Sequence, residues 1–267
     1  MIRLYWSGGN RSDINFGDSI SPRIVEQLSG KKVVYANIDA CDVAAIGSIL
    51  NKIVTRQWKR MLRLRLDKIR IWGTGAFGPD DLLKGRSGLA IAAVRGVLTR
   101  DALKLDATAA LGDPGLLVDR LAGPADKKFR WGIIPHVVDR KLGIIHDMHK
   151  NTDHSCIIDL ADPDILGVAK KIRSCDFIIS SSLHGLITAD AFGIPNVWMR
   201  VSGNIFGGDW KFLDYFSTVD RTETAPLYPA ETALNLGSLE DTAARVARQT
   251  VERRQNDLEK SFAQMGL

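Results

Sequence analysis

Three serines run into a histidine and a glycine at Ser180-Ser-Ser-Leu-His-Gly185. The apolar run Asp176–Ile179 before them reads as a strand. Leu186–Phe192 after them reads as a helix that Gly193 and Pro195 end. His184 then falls in the first turn of that helix, where unpaired backbone N–H groups and the helix dipole attract an anion. The same positive potential favours a neutral imidazole until an anion arrives. His184, with Ser181 and Ser182 beside it, is the sharpest candidate for meeting a phosphate or a carboxylate.

Three further loops carry candidates. Trp6-Ser-Gly-Gly-Asn-Arg-Ser-Asp-Ile-Asn-Phe-Gly-Asp18 follows a strand and precedes a helix, and its glycines suit an anion. Within it Asn15 and Gly17 are candidate ligand contacts. Asp18 reads either as an acid/base or hydroxyl-binding group, or as a helix cap. Gly73 and Gly75 in Trp72-Gly-Thr-Gly-Ala-Phe-Gly78 allow close backbone approach to a ligand, or form a plain turn. No acidic residue follows at the distance a nicotinamide dinucleotide needs for its ribose, so that cofactor is rejected. Arg95 stands just past the run Leu89–Val94, at the expected mouth of a cleft. It suits bidentate contact with a carboxylate or phosphate, or else a surface ion pair. His136 follows Phe129–Ile134 and is placed to enter the same cleft.

Other chemistries lack their residues. There is no G-x-S-x-G elbow, no Walker A loop and no C-x-x-C pair. His146, His149 and His154 do not have metal-ligand spacing, and no metal is expected. Cys41, Cys156 and Cys175 read as buried thiols of a reducing compartment. Lys and Arg exceed Asp and Glu by 36 to 31, a net charge of +5. That favours anionic small molecules or an anionic membrane, and is too little to assert nucleic acid. The start of the chain has no signal-peptide pattern and no run approaches the ~20 apolar residues of a spanning helix, so a cytoplasmic protein is expected. Between Lys52 and Arg70 eight cations face one acid, Asp67, with Trp58, Met61, Leu62, Leu64 and Leu66 between them. This stretch reads as a solvated helix face, or as a surface resting on anionic lipid at the inner face of the cell membrane.

The elements that must position these groups alternate. Strands are expected at Ile2–Trp6, Lys32–Tyr35, Asp42–Ile46, Ile69–Trp72 and Leu89–Val94, then at Phe129–Ile134, His154–Ile158, Asp176–Ser180 and Asn196–Met199. Ser21-Pro22 and Asp162-Pro163 resemble helix starts, Ser29-Gly30 a helix end, and Ser238 with Asp241 the start of a long last helix. Ile165, Leu166, Ala169 and Ile172 are expected on one apolar face. The architecture is α/β: two doubly wound domains, 1–122 and 123–267, meeting at the exposed linker Ala122–Lys128 and aiming their strand-end loops into a central cleft.

The run Ser174-Cys-Asp-Phe-Ile-Ile-Ser-Ser-Ser-Leu-His-Gly-Leu-Ile-Thr-Ala-Asp-Ala-Phe-Gly-Ile-Pro-Asn196 resembles the polysaccharide pyruvyl transferase family. Asn15-Phe-Gly-Asp18, Ile46-Gly-Ser-Ile-Leu50, Trp72-Gly-Thr-Gly75, Val94-Arg-Gly96 and Gly112-Asp-Pro114 follow the family in order, so the similarity spans roughly residues 2–220. The resemblance implies two Rossmann-like domains arranged as in GT-B glycosyltransferases. It implies phosphoenolpyruvate as donor, with no other cofactor, and a pyruvate ketal built on a sugar of a lipid-linked exopolysaccharide unit. It maps the family's histidine onto His184. Many members carry an arginine where this chain has Ser182, so another cation must hold the donor: Arg95 first, then Arg200 or Lys211. Two rival readings stand beside it. One is a nucleotide-sugar glycosyltransferase of the same architecture, with Asp209 or Asp214 near Gly207-Gly208 as its ribose acid. The other is a glycan- or anion-binding subunit without catalysis.

Overall fold

A computed structural model describes residues 1–9, 14–229 and 236–267. The part of the first glycine loop from Asn10 to Asp13 lies outside the described residues.

The first six strands are β1 (Ile2–Tyr5), β2 (Val33–Tyr35), β3 (Val43–Ala44), β4 (Ile69–Trp72), β5 (Leu89–Val94) and β6 (Ala110–Leu111). They form one parallel sheet in the order β2-β1-β3-β4-β5-β6. β7 (Phe129–Ile134), β8 (Ser155–Ile157), β9 (Cys175–Ser180) and β10 (Asn196–Trp198) form a second parallel sheet, β10-β9-β7-β8. Parallel strands need crossovers, and helices supply most of them: α1 (Phe16–Ser19), α2 (Ser21–Ser29), α3 (Leu50–Arg56) and α4 (Val97–Ala102) in the first half, α5 (Gly143–Lys150), α6 (Ile165–Arg173) and α7 (Leu183–Ala191) in the second. With both faces of a parallel sheet covered, its strands read as continuous apolar runs. Nine of the ten were legible for that reason. Only the two-residue β6, inside a turn-rich stretch, was not.

Each sheet reverses its strand order once. In the first the reversal lies between β1 and β3, and in the second between β7 and β9. Crossovers leave in opposite directions at such a point and open a crevice at the carboxyl ends of the strands.

Three helix starts differ from expectation. α1 runs into α2 through Ile20, which is itself helical, so Ser21 is not an extended cap; its hydroxyl instead accepts from the Ile46 N–H at 3.4 Å. Asp164 rather than Asp162 caps α6, because its carboxylate reaches the Gly167 N–H at 2.9 Å. The buried face of α6 is Val168, Ala169 and Ile172, and Leu166 is exposed. The last helix, α9 (Arg248–Gln264), starts at Arg248, not near Ser238. Residues 236–242 form a separate 3₁₀ turn, and Ala244 then pairs with Asn196 through two 2.9 Å backbone hydrogen bonds that keep the chain extended. α9 returns to the first sheet, where the Trp72 indole N–H donates to the Leu258 carbonyl at 3.0 Å.

Helix α8 (Trp210–Phe216) is tied to both halves. Its Asp214 accepts from the Thr99 backbone N–H in the first turn of α4 at 2.8 Å. Its Tyr215 hydroxyl donates to Asp190 of α7 at 2.8 Å. Asp190 also accepts from the Asn196 amide at 2.7 Å, and the Arg221 guanidinium lies 3.6 Å away. These groups are buried, and a buried charge must be paired to remain. The network therefore fixes α7 relative to α8. All three cysteines are free and buried.

Candidate functional site

The two strand-order reversals open onto one hollow of about 210 Å³. Ser7 comes from beyond β1 and Gly47-Ser48 from beyond β3. His136 follows β7, and Ser182 to His184 follow β9. Asn15 and Asp18 line it from α1 and its approach, and Lys211 from α8. Phe77 and Phe206 meet edge to face across its rim, ring centroids 4.5 Å apart.

His184 falls in the first turn of α7, as the sequence predicts, although the helix starts at Leu183 rather than at Leu186. The helix has no side-chain cap, and the Ser182 N–H donates back to the Ser180 hydroxyl at 3.0 Å. The imidazole lies against the bare Cα of Gly17. A Cβ there would fall 1.9 Å from His184 Nδ1. This is why glycine stands at that position: it makes room for the ring. Nε2 lies 3.8 Å from the Asp113 carboxylate, too far for a hydrogen bond, and neither atom has a hydrogen-bond partner among the described residues. Burial, aided by the positive charges of Arg95 and Lys211, pulls the imidazole down to about 3, so it is neutral near pH 7. His136 is likewise lowered to about 4 by burial and by Lys211. Its Nδ1 accepts from the Val138 N–H at 3.3 Å, which leaves Nε2 as the protonated nitrogen of the neutral ring.

The acids are shifted the other way. Burial raises Asp18 to about 7, opposed by Lys211. Asp113 is raised to about 6 by burial, although one oxygen accepts from the Gly115 N–H at 2.9 Å. Lys211 is almost wholly buried, and burial lowers it to about 8. An acid that holds its proton near neutrality, a neutral imidazole and a cation thus share one small space. Such displaced proton affinities equip a site for proton transfer and anion binding.

Other candidates are placed differently. Arg95, expected at the cleft mouth, is fully buried behind it. Its Nε donates to Asp214 at 2.9 Å, one terminal nitrogen to the Ser48 hydroxyl at 2.6 Å and the other to the Ala76 carbonyl at 2.7 Å. A guanidinium withdrawn from water needs those partners, and it reaches the hollow only through Ser48. Gly75 leaves space for it, since a Cβ there would lie 2.3 Å from the Arg95 Cζ. Gly73 adopts φ +78° and abuts Pro114. Neither glycine lines the hollow. The Ser181 hydroxyl accepts from the His136 N–H at 2.8 Å and faces buried Asp139, joining two loops rather than facing a ligand. Arg200 is ion-paired with Asp209. Asp209 and Asp214 are both consumed by arginines, so neither stands ready for a ribose.

Sequence reasoning missed Asp113, Ser48, Phe77 and Phe206 as site residues. Asp113 lies in Leu111-Gly-Asp-Pro-Gly115, which reads only as a turn cluster, and Ser48 in a short glycine motif that only the family resemblance draws out. Phe77 lies in the glycine loop Trp72–Gly78 but has no signal of its own, and Phe206 has none at all, because the two meet only through the fold.

Two comparisons bear on these features. The sequence model of a family described as polysaccharide pyruvyl transferase matches residues 2–203. A protein of Acanthamoeba polyphaga mimivirus, itself uncharacterized, is 30% identical over 213 residues, covering 77% of this chain and 71% of its own.

Proposed function

Because this chain belongs to the polysaccharide pyruvyl transferase family, we propose that it moves the pyruvyl group of phosphoenolpyruvate onto two hydroxyls of one sugar, forming a cyclic ketal. The observation that carries this is Lys211, His184 and Asp18 lining one hollow, where burial keeps the imidazole neutral and raises the carboxyl to about 7. The donor is a small molecule with two anionic groups, and a cation beside an open helix start suits both. Asp18 protonates the methylene carbon of the donor while the first sugar hydroxyl adds to the neighbouring carbon. The carboxylate so formed takes the proton of that hydroxyl. The bond from the central carbon to phosphate then breaks, and the imidazole of His184 carries the proton of the second hydroxyl to the departing phosphate, with Asp113 behind it to stabilise the transient charge. The second hydroxyl closes the ring, and its proton leaves with the phosphate. Protons and charge balance: one donor and one diol give one ketal and one hydrogen phosphate.

The acceptor is a lipid-linked sugar of an exopolysaccharide unit, reached from the cytoplasm. The two sheets with facing loop ends support a GT-B-like pair of Rossmann-like units divided near residue 122, with the last helix, α9, packed back on the first sheet. A nucleotide-sugar reading is weakened because Asp209 and Asp214 are already paired.

Incubation with phosphoenolpyruvate and saccharide acceptors is expected to release phosphate in step with a ketal detectable by mass spectrometry. The rate is expected to fall as pH rises from neutrality toward 9. Asp18 loses its proton through about 7 and Lys211 its charge through about 8, so both changes act in the same direction. Phosphoenolpyruvate that binds but never releases phosphate would leave only an anion-binding subunit.

Gly17→Ala tests the seat of His184. The added methyl cannot coexist with the ring where it stands, so the ring must move. Turnover is expected to drop ~10²-fold for a displacement of about 1 Å, with secondary structure unchanged by circular dichroism. Wild-type turnover would show that the position of the ring is immaterial.

A further inference from the structure

Eleven large hydrophobic side chains are exposed among the described residues, and four of them fall between Trp58 and Leu66. Trp58 is 57% exposed, Leu62 74%, Leu64 91% and Leu66 90%; the last two are the most exposed of all. The segment is the 3₁₀ turn Gln57–Arg63 and the stretch after it.

This is not a loose loop. Buried Arg60 donates to the carbonyls of Ile38, Cys41 and Asp67, at 3.3, 2.8 and 2.9 Å. Arg65 donates to the Ala40 carbonyl at 2.7 Å and pairs with Asp42 and Asp67. Arg63 pairs with Asp39 at 2.5 Å. The arginines pin the backbone while the apolar side chains point away. Leu64 holds φ +54°, a region uncommon and unfavourable for leucine, and stays outside the core.

Exposed cations flank the apolar tips: Arg56, Lys59 and Lys68. Arg56 and Lys59, with Lys52, also line a polar hollow of about 330 Å³ beside the segment. That hollow and the candidate active site share Ser7. A single folded edge thus combines apolar tips, positive charge and proximity to the reaction site. Water-exposed leucines that are held out by a clamped backbone suit an apolar partner, and the cations select an anionic one.

We propose that residues 56–68 dock this protein on an anionic lipid bilayer, with Trp58, Leu62, Leu64 and Leu66 entering the interface and Arg56, Lys59 and Lys68 meeting lipid phosphates. Docking at this edge turns the cationic hollow, and through Ser7 the active site, toward the membrane surface.

Sedimentation with phosphatidylcholine vesicles, with and without phosphatidylglycerol, tests this on the full chain. Binding to the anionic vesicles is expected and should weaken with salt. Leu62→Ser with Leu64→Ser and Leu66→Ser should lower the partition at least ~10-fold. Arg56→Gln and Lys59→Gln should each lower it about fivefold. Unchanged melting by circular dichroism checks that the variants fold. No sedimentation with anionic vesicles, or equal binding by the triple serine variant, overturns the proposal. So does a wild-type dimer, seen by analytical ultracentrifugation, that the serine variant splits while neither form binds vesicles; the face would then join two copies of the chain. No donor or acceptor enters the assay, so its failure would leave pyruvyl transfer untouched.

Discussion

His184→Ala is expected to lower phosphate release from phosphoenolpyruvate by at least ~10²-fold, the lower end of what a positioned acid/base group contributes. The ring is held beside Gly17, with its Nε2 3.8 Å from the Asp113 carboxylate. Removing a ring that makes no hydrogen bond among the described residues forfeits its packing and little else. The alanine variant should therefore fold at least as well as a typical core truncation and fail in turnover. His184→Gln, which restores a polar group without a titratable ring, should not rescue it. Steady-state kinetics with circular dichroism decides the matter. Near-normal turnover in the alanine variant would remove His184 from the mechanism, and the family motif around it would then be a structural feature.

Arg95→Ala is expected to act on stability rather than on the donor. Arg95 and Asp214 are a fully buried ion pair, and both are tied to neighbouring groups. Removing one partner leaves an uncompensated buried charge, a loss of roughly 3–5 kcal/mol. Against a total stability of ~5–15 kcal/mol that is a large fraction, and the melting temperature should fall by about 10 °C. A double change, Arg95→Met with Asp214→Leu, removes both charges and should recover much of the loss. A single variant that melts like the wild type but no longer binds phosphoenolpyruvate would return Arg95 to the role of donor ligand. The distinction matters because α8 carries both Asp214 and Lys211. Loosening the pair moves the cation that faces the hollow.

Lys211 was only a reserve candidate in the sequence, where a lysine among aromatic residues has no mark of function. It became prominent because the Asp190–Tyr215–Asn196–Arg221 network and the Asp214–Arg95 pair press α8 against both halves. Those partners lie up to 119 residues apart, and no local pattern announces them. The same holds for Phe77 and Phe206, which touch across the rim.

Strand positions, the α/β class and the place of His184 at a helix start were determined by the sequence alone. They follow from local rules: apolar runs of strand length, and a glycine and a proline where a helix must stop. Arg95 shows where such rules end. A strand-end arginine looks the same whether its guanidinium faces solvent, a ligand or an aspartate, and its partner lies in the other half of the chain. Tertiary structure decided that it is buried, that Lys211 is the cation lining the hollow among the described residues, and that Asp113 backs the histidine. Burial and pairing are set by what packs from distant segments, and it is those, rather than residue type, that fix which charges meet the hollow and which hold the fold.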